Sequence, residues 1–178
     1  MRALPEGIEL RRATPADIET VVELVETEIG RYREWAPKDW KPMGPTPAMR
    51  ARLSPLYEDD ERAWILLAFH GVEAVGVASL SVITGADARP PPPGTAYLWQ
   101  MFVRRDWQGS GLAGPLLDRL LEEAAGRGYE RVVLWTPAGA TRARRFYERE
   151  GFKLTGKEDP ESEFGLPLVQ YGRSTRDA

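Results

Sequence analysis

Cysteine is absent from the 178-residue sequence. That excludes disulfides, a thiol nucleophile and a thiolate metal site. Histidine occurs once, as His70. A zinc cluster or a Ser-His-Asp triad would have to be built around it, and its surroundings are those of a turn, so no metal site is expected. No apolar run approaches the roughly 20 residues of a membrane span, and the N-terminus has no signal-peptide pattern. The expectation is a cytoplasmic protein with no membrane partner. Excess positive charge is lacking too, the net charge being −3. That argues against a general nucleic-acid binder, whose affinity rests on neutralising phosphates. What remains is ordinary globular composition, 42% hydrophobic and 29% charged, in a chain long enough for one domain with a real core. The domain is expected to occupy residues 1–178, with residues 1–7 and 174–178 as loose ends.

The order of elements follows from periodicity and punctuation. Ile8 to Arg11 alternates as a first strand. Thr14-Pro15-Ala16-Asp17 is a helix start, with Thr14 as N-cap and Pro15 at the first helical position. The helix buries Ile18, Val21, Val22, Val25 and Ile29 and solvates Glu19, Glu23 and Glu26. Arg31 to Pro47 is irregular and aromatic, and Trp35 and Trp40 either stack on a ligand or cap the core edge. A second helix is expected from Thr46 toward Tyr57, then an acidic turn, Glu58 to Glu61. Ala63 to Phe69 and Ala74 to Ile83 form a hairpin turned at His70-Gly71. Gly85 to Gly94, with four consecutive prolines, is a stiff surface loop. Thr95 to Val103 is a central strand. Leu112, Leu116, Leu117, Leu120, Leu121 and Ala124 mark one face of a helix. Pro115 fits that helix only in its first turn, which dates the start to about Gly111 or Leu112. Glu130 to Trp135 is a strand. Thr141 to Glu150 is a short helix ended by Gly151. Phe152–Thr155 and Leu166–Tyr171 are closing strands around a charged stretch, 156–165. This order is that of an α/β fold, a mixed sheet with helices on both faces.

The informative stretch is Val103-Arg104-Arg105-Asp106-Trp107-Gln108-Gly109-Ser110-Gly111-Leu112-Ala113. It joins a strand to the leucine-rich helix. A helix N-terminus carries unpaired N–H donors and the positive end of the macrodipole, and glycine lets the backbone approach a phosphate. The turn is therefore read as an anion cradle, suited to the pyrophosphate of a coenzyme. No Gly-Lys-Ser/Thr follows, so it is not a Walker A loop. Gly109, Gly111 and Gly114 do fit the dinucleotide pattern G-x-G-x-x-G. In that motif, however, the strand runs almost straight into the first glycine, and here Arg104 to Gln108 intervene. The acidic residue expected after the next strand is also missing, since Thr136 and Pro137 stand there.

Gln108, Gly111 and Ala113 resemble the acyl-CoA loop of the GCN5-related N-acetyltransferase (GNAT) superfamily, whose pattern is Arg or Gln, two residues, Gly, one residue, then Gly or Ala. Downstream, Phe146-Tyr147 followed by Gly151-Phe152 resembles a second family motif. The resemblance covers nearly the whole chain. It implies a GNAT-like mixed, mostly antiparallel sheet with helices on both faces, and acetyl-CoA as co-substrate with no metal. It implies that the strand ending at Val103 splays from the strand ending at Trp135. The pantetheine arm then pairs with Met101, Phe102 and Val103 like an added strand, and the amides from Gln108 through Gly109, Ser110, Gly111 and Leu112 to Ala113 hold the diphosphate. Tyr147 matches the position whose phenol protonates the leaving thiolate. The acceptor is then a small-molecule or peptide amine, in a pocket walled by Trp35, Trp40 and Trp99. A homodimer is compatible with the family.

Two departures stand out. Family members often carry a carboxylate on the strand before the loop, and here no acid lies between Thr95 and Val103, which leaves the general base unassigned. An Asn common at the start of the tyrosine-bearing helix is replaced by Ala140 or Thr141. Arg142, Arg144 and Arg145 form either a solvated basic face or contacts to coenzyme phosphates. The alternative to an enzyme is a catalytically weak acyl-CoA binding or regulatory module.

Overall fold

A computed structural model describes residues 2–42, 51, 63–81, 91–162 and 164–177. The second helix and the acidic turn expected between Thr46 and Glu61 fall outside the described residues, as does most of the proline loop. Seven strands among the described residues form one sheet: β1 Ile8–Arg12, β2 Ala63–His70, β3 Glu73–Ser81, β4 Thr95–Val103, β5 Arg131–Pro137, β6 Lys153–Asp159 and β7 Leu168–Ser174. Their spatial order is β1-β2-β3-β4-β5-β7-β6. Every pairing is antiparallel except β4 with β5. The mixed, mostly antiparallel α/β sheet expected from the sequence is therefore present.

Among the described residues three helices cover the sheet: α1 Ile18–Gly30, α2 Ala113–Gly126 and α3 Thr141–Arg149. α1 lies on one face. Its Val21, Val22, Leu24, Val25 and Ile29 pack with Ile65, Leu67 and Val77. α2 and α3 share the other face. Leu112, Leu116, Leu117, Leu120, Leu121 and Ala124 are all at most 1% exposed and pack with Leu66, Leu98, Val132 and Leu134. Each such leucine contributes about 1.5–3 kcal/mol of apolar burial. Pro115 sits in the first turn of α2, and Leu116 N–H donates to Leu112 O at 3.3 Å just ahead of it.

The start of α1 is fixed by charge as well as by proline. Asp17 turns back so that its carboxylate accepts from the Thr14 N–H at 2.8 Å, the Thr14 hydroxyl at 2.7 Å and the Arg11 guanidinium at 2.7 and 2.9 Å. The Arg11 hydrogen bonds, with those from Thr14, hold this carboxyl well below the usual carboxylate range despite its burial. The folded state thus binds the Asp17 proton less tightly than the unfolded chain does. The associated stability is present above about pH 4 and is lost as pH falls further, toward the folded value. Asp17→Ala is expected to cost about 1–2 kcal/mol at neutral pH. The cost should shrink in acid, as thermal melts of both proteins at neutral and acidic pH will show.

Both ends of the chain are better anchored than their sequence suggests. Arg2 reaches Asp118 at 2.7 Å, Glu150 at 2.8 Å and the Gly114 carbonyl at 3.0 Å. A Cβ on Gly114 would lie 2.7 Å from the Arg2 guanidinium. Thr175 is buried, with its hydroxyl donating to Tyr129 O at 2.7 Å. The expected looseness therefore stops short of both residues. The closing strands also differ from expectation. β6 runs on through Lys157 and Glu158 to Asp159, because pairing with β7 sets its extent even where its own residues are charged.

Candidate active site

The site begins with a bulge. The β3–β4 register steps from Leu80↔Leu98 to Ser79↔Gln100, which leaves Trp99 as the extra residue on β4. The Ser79 hydroxyl takes up the Gln100 N–H at 3.1 Å. A bulge bends its strand and sharpens the twist. β4 accordingly pairs with β5 only from Thr95↔Arg131 to Tyr97↔Val133. β5 continues along β7 to Pro137↔Leu168. Leu98–Val103 thus present the edge that faces β5 with no strand partner among the described residues. The splay implied by the family resemblance is present, and Met101, Phe102 and Val103 lie half-buried along its edge.

The glycine turn lies at the far end of that edge. After a single 3₁₀ turn, Arg105–Trp107, the chain passes Gly109 and Gly111 at φ +91° and +90°. Only glycine takes up this left-handed backbone without strain. Within the turn, Gln108 N–H donates to Arg105 O at 3.1 Å, Ser110 N–H to Trp107 O at 3.2 Å and Leu112 N–H to the Ser110 hydroxyl at 3.3 Å. No group among the described residues accepts from the N–H of Gly109, Gly111, Ala113 or Gly114. Around both left-handed glycines a Cβ would meet nothing within 4 Å. The turn therefore presents free amides at the start of α2, those of Gly109 and Gly111 on exposed and unobstructed backbone. Gly114, the third member of the dinucleotide-like pattern, instead makes room for Arg2.

Three elements converge on the Gln108 side chain. Its amide nitrogen donates to Val103 O at 3.1 Å and approaches Glu28 Oε2 at 3.5 Å, and its carbonyl accepts from Arg142 at 2.7 Å. Glu28 is 5% exposed, on the buried side of α1, with Arg31 Nε at 3.3 Å. Sequence reasoning missed it. The signal was there, because Glu28 falls three residues after Val25 on the apolar stripe rather than on the face of Glu19, Glu23 and Glu26.

Tyr147 is buried on α3 among Phe146, Phe152 and Tyr171, at ring-centroid distances of 5.5, 5.7 and 6.4 Å. Burial pushes its phenol well above the ordinary tyrosine value, and Tyr32 adds to the shift. Tyr32 follows α1 on the opposite face of the sheet. Burial, reinforced by the Glu28 carboxylate, pushes it up to about 12. Tyr171 has a different use, accepting from Arg144 at 3.0 Å and donating to Glu148 at 2.7 Å. Arg144 also donates to Ala138 O at 2.9 Å, so it belongs to neither a solvated basic face nor a phosphate site.

The three tryptophans are placed differently. Trp35 is 40% exposed, its ring 4.8 Å from Tyr32. It lies over Gly139, where a Cβ would come within 3.1 Å of the ring. It thereby joins the end of α1 to the turn after β5. Trp40 is buried, donates to Phe164 O at 3.0 Å and packs on Tyr32 and Phe164. Trp99, at the bulge, is half-buried against the α1 cluster.

Solved acetyltransferases share this fold. An N-acetyltransferase from Staphylococcus aureus Mu50 superposes with a TM-score of 0.73 at 21% identity, over 94% of this chain and 98% of that one. The PaiA N-acetyltransferase from Thermoplasma acidophilum, in complex with coenzyme A, gives 0.70 at 15% identity over 94% and 98%. At these identities the likeness is one of fold. The model of the acetyltransferase (GNAT) family matches residues 29–152, and the chain belongs to that family. An uncharacterised N-acetyltransferase of Mycobacterium tuberculosis is 35% identical over 100 residues, which make up 56% of this chain and 59% of the relative. The chain thus spans about three fifths of the curated relatives that it matches. Among the described residues no helix is long and apolar enough to cross a membrane.

Proposed function

We propose that residues 1–178 form a single GNAT acyltransferase domain that moves an acetyl group from acetyl-CoA to a primary amine by direct attack in a ternary complex. The observation that carries this reading is the opening between β4 and β5. It has a turn of unpaired amides at one end, and the helix that follows β5 carries the buried Tyr147. The residues present fit the coenzyme. The free amides of Gly109, Gly111 and Ala113 match a diphosphate, and the unpaired edge of Met101–Val103 matches the amide-bearing pantetheine arm.

When bound, acetyl-CoA supplies the activated thioester. An N–H near Phe102 or Val103 polarises its carbonyl oxygen. The amine nitrogen forms the new C–N bond and the C–S bond breaks. Tyr147 gives its hydroxyl proton to the departing sulfur. The surplus proton on the amine goes to ordered water or to Glu28, the buried carboxylate that stands in for the one β4 lacks. Trp35, with Tyr32 beside it, forms the wall against which the acceptor rests. Trp99 lines it from the bulge, and Trp40 braces it from behind.

The second reading, a catalytically weak acyl-CoA binding module, is favoured by the missing strand carboxylate. Calorimetry with CoA and acetyl-CoA, followed by thiol release with a panel of amines, separates the two. Binding with turnover on at least one amine is expected. Binding with none would favour the module, and no binding would remove both.

A further inference from the structure

We propose that Arg142 is a second ligand of the coenzyme diphosphate, one that exchanges its bond to Gln108 for the phosphate oxygens. This rests on the coenzyme reading above. Arg142 is exposed on the first turn of α3, which follows β5, whereas Gln108 follows β4. Their 2.7 Å hydrogen bond therefore spans the two lips of the opening.

The bond is an unequal one. A guanidinium offers five donors and prefers an anionic acceptor that it can meet with two of them. Here it meets a single neutral carbonyl, and Arg142 makes no ion pair among the described residues. Its neighbours are already committed. Arg104 pairs with Glu73 and Asp106, Arg105 with Glu34, and Arg144 with Tyr171 and Ala138. Arg142 is held by one neutral side-chain carbonyl alone, that of Gln108, and Gln108 is next to Gly109. A diphosphate held by the amides of Gly109, Gly111 and Ala113 lies within reach of the same guanidinium after a change of rotamer. Gln108 keeps its bond to Val103 O throughout. The coenzyme then ties the β4 lip to the β5 lip through one anion.

The test is calorimetry of CoA and 3′-dephospho-CoA on the intact protein and on Arg142→Ala. Because Arg142 is exposed and has one bond, the substitution should leave the coenzyme-free melting temperature unchanged. Both ligands should bind the variant about tenfold more weakly, the effect of losing a charge-assisted contact. Arg142→Lys keeps the charge without the fork and should fall between. Equal affinity of wild type and Arg142→Ala overturns the proposal. So does a loss seen with CoA and absent with 3′-dephospho-CoA, since the contact is then to the ribose phosphate. If the unsubstituted protein fails to bind either ligand, the coenzyme reading itself falls.

Discussion

Tyr147→Phe is expected to lower thiol release from acetyl-CoA by about 10²–10⁴-fold, with coenzyme affinity changed little. The substitution removes one oxygen and keeps the ring contacts with Phe146, Phe152 and Tyr171, so the fold has no reason to suffer. The pH dependence gives a second readout. Burial holds the Tyr147 phenol above its usual value, so it remains protonated through neutral and mildly alkaline solution. Activity of the unsubstituted protein should therefore show no falling limb from this group below about pH 10. Stability follows the same sign. The protonated phenol belongs to the folded state, and its contribution is intact below about pH 10 and is lost as pH rises toward the folded value. Wild-type turnover in the variant, measured on any amine that the protein acetylates, would take the acid role away from Tyr147.

Gly111→Val is expected to lower affinity for CoA by about 100-fold while leaving the folded core intact. Gly111 sits at φ +90°, where a β-branched residue is strained by about 1–3 kcal/mol. The chain relieves such strain by rotating the peptide planes on either side. That turns the Gly111 amide away from its target and strains the bond from the Leu112 N–H to the Ser110 hydroxyl that shapes the turn, and each donor lost to a phosphate costs about 1.5–3 kcal/mol. A steric account predicts something else, because a Cβ at this position meets no protein atom within 4 Å. If the geometry of the donors is what matters, Gly111→Ala should also bind CoA poorly, although alanine adds one carbon in open space. Full affinity in the alanine variant, read by calorimetry, would count against the amide cradle.

Much of this site is legible in the sequence because it is local. β4 occupies the expected Thr95–Val103, since an aromatic, β-branched run bounded by Gly94 and Arg104 leaves little freedom. Pro115 dates the start of α2 to within one or two residues of the expectation, because proline is tolerated only in a first turn. What could not be read depends on pairs distant in the chain. The bulge at Trp99 arises from the register against Ser79 and Leu80, about twenty residues earlier, and nothing in the residues around Trp99 specifies it. Gly114 completes a dinucleotide-like pattern, yet its actual use is to admit Arg2 from the far end of the chain. Gly139 reads as an ordinary turn residue until the Trp35 ring is seen lying over it. Glu28 is legible too, since it falls on the buried stripe of α1 three residues after Val25.

The unpaired edge of β4 also bears on how the protein keeps company with itself. A row of unsatisfied main-chain donors and acceptors is a template for any extended peptide, including a second copy of this chain. In most sheets such an edge lies at the rim and is blunted by charge. Here it is set between two strands and flanked by Phe102 and Met101, which offer no charge to repel a wrong partner. The natural occupant, whatever else it does, thus keeps that template covered. A preparation stripped of it should be the one that clumps on the shelf.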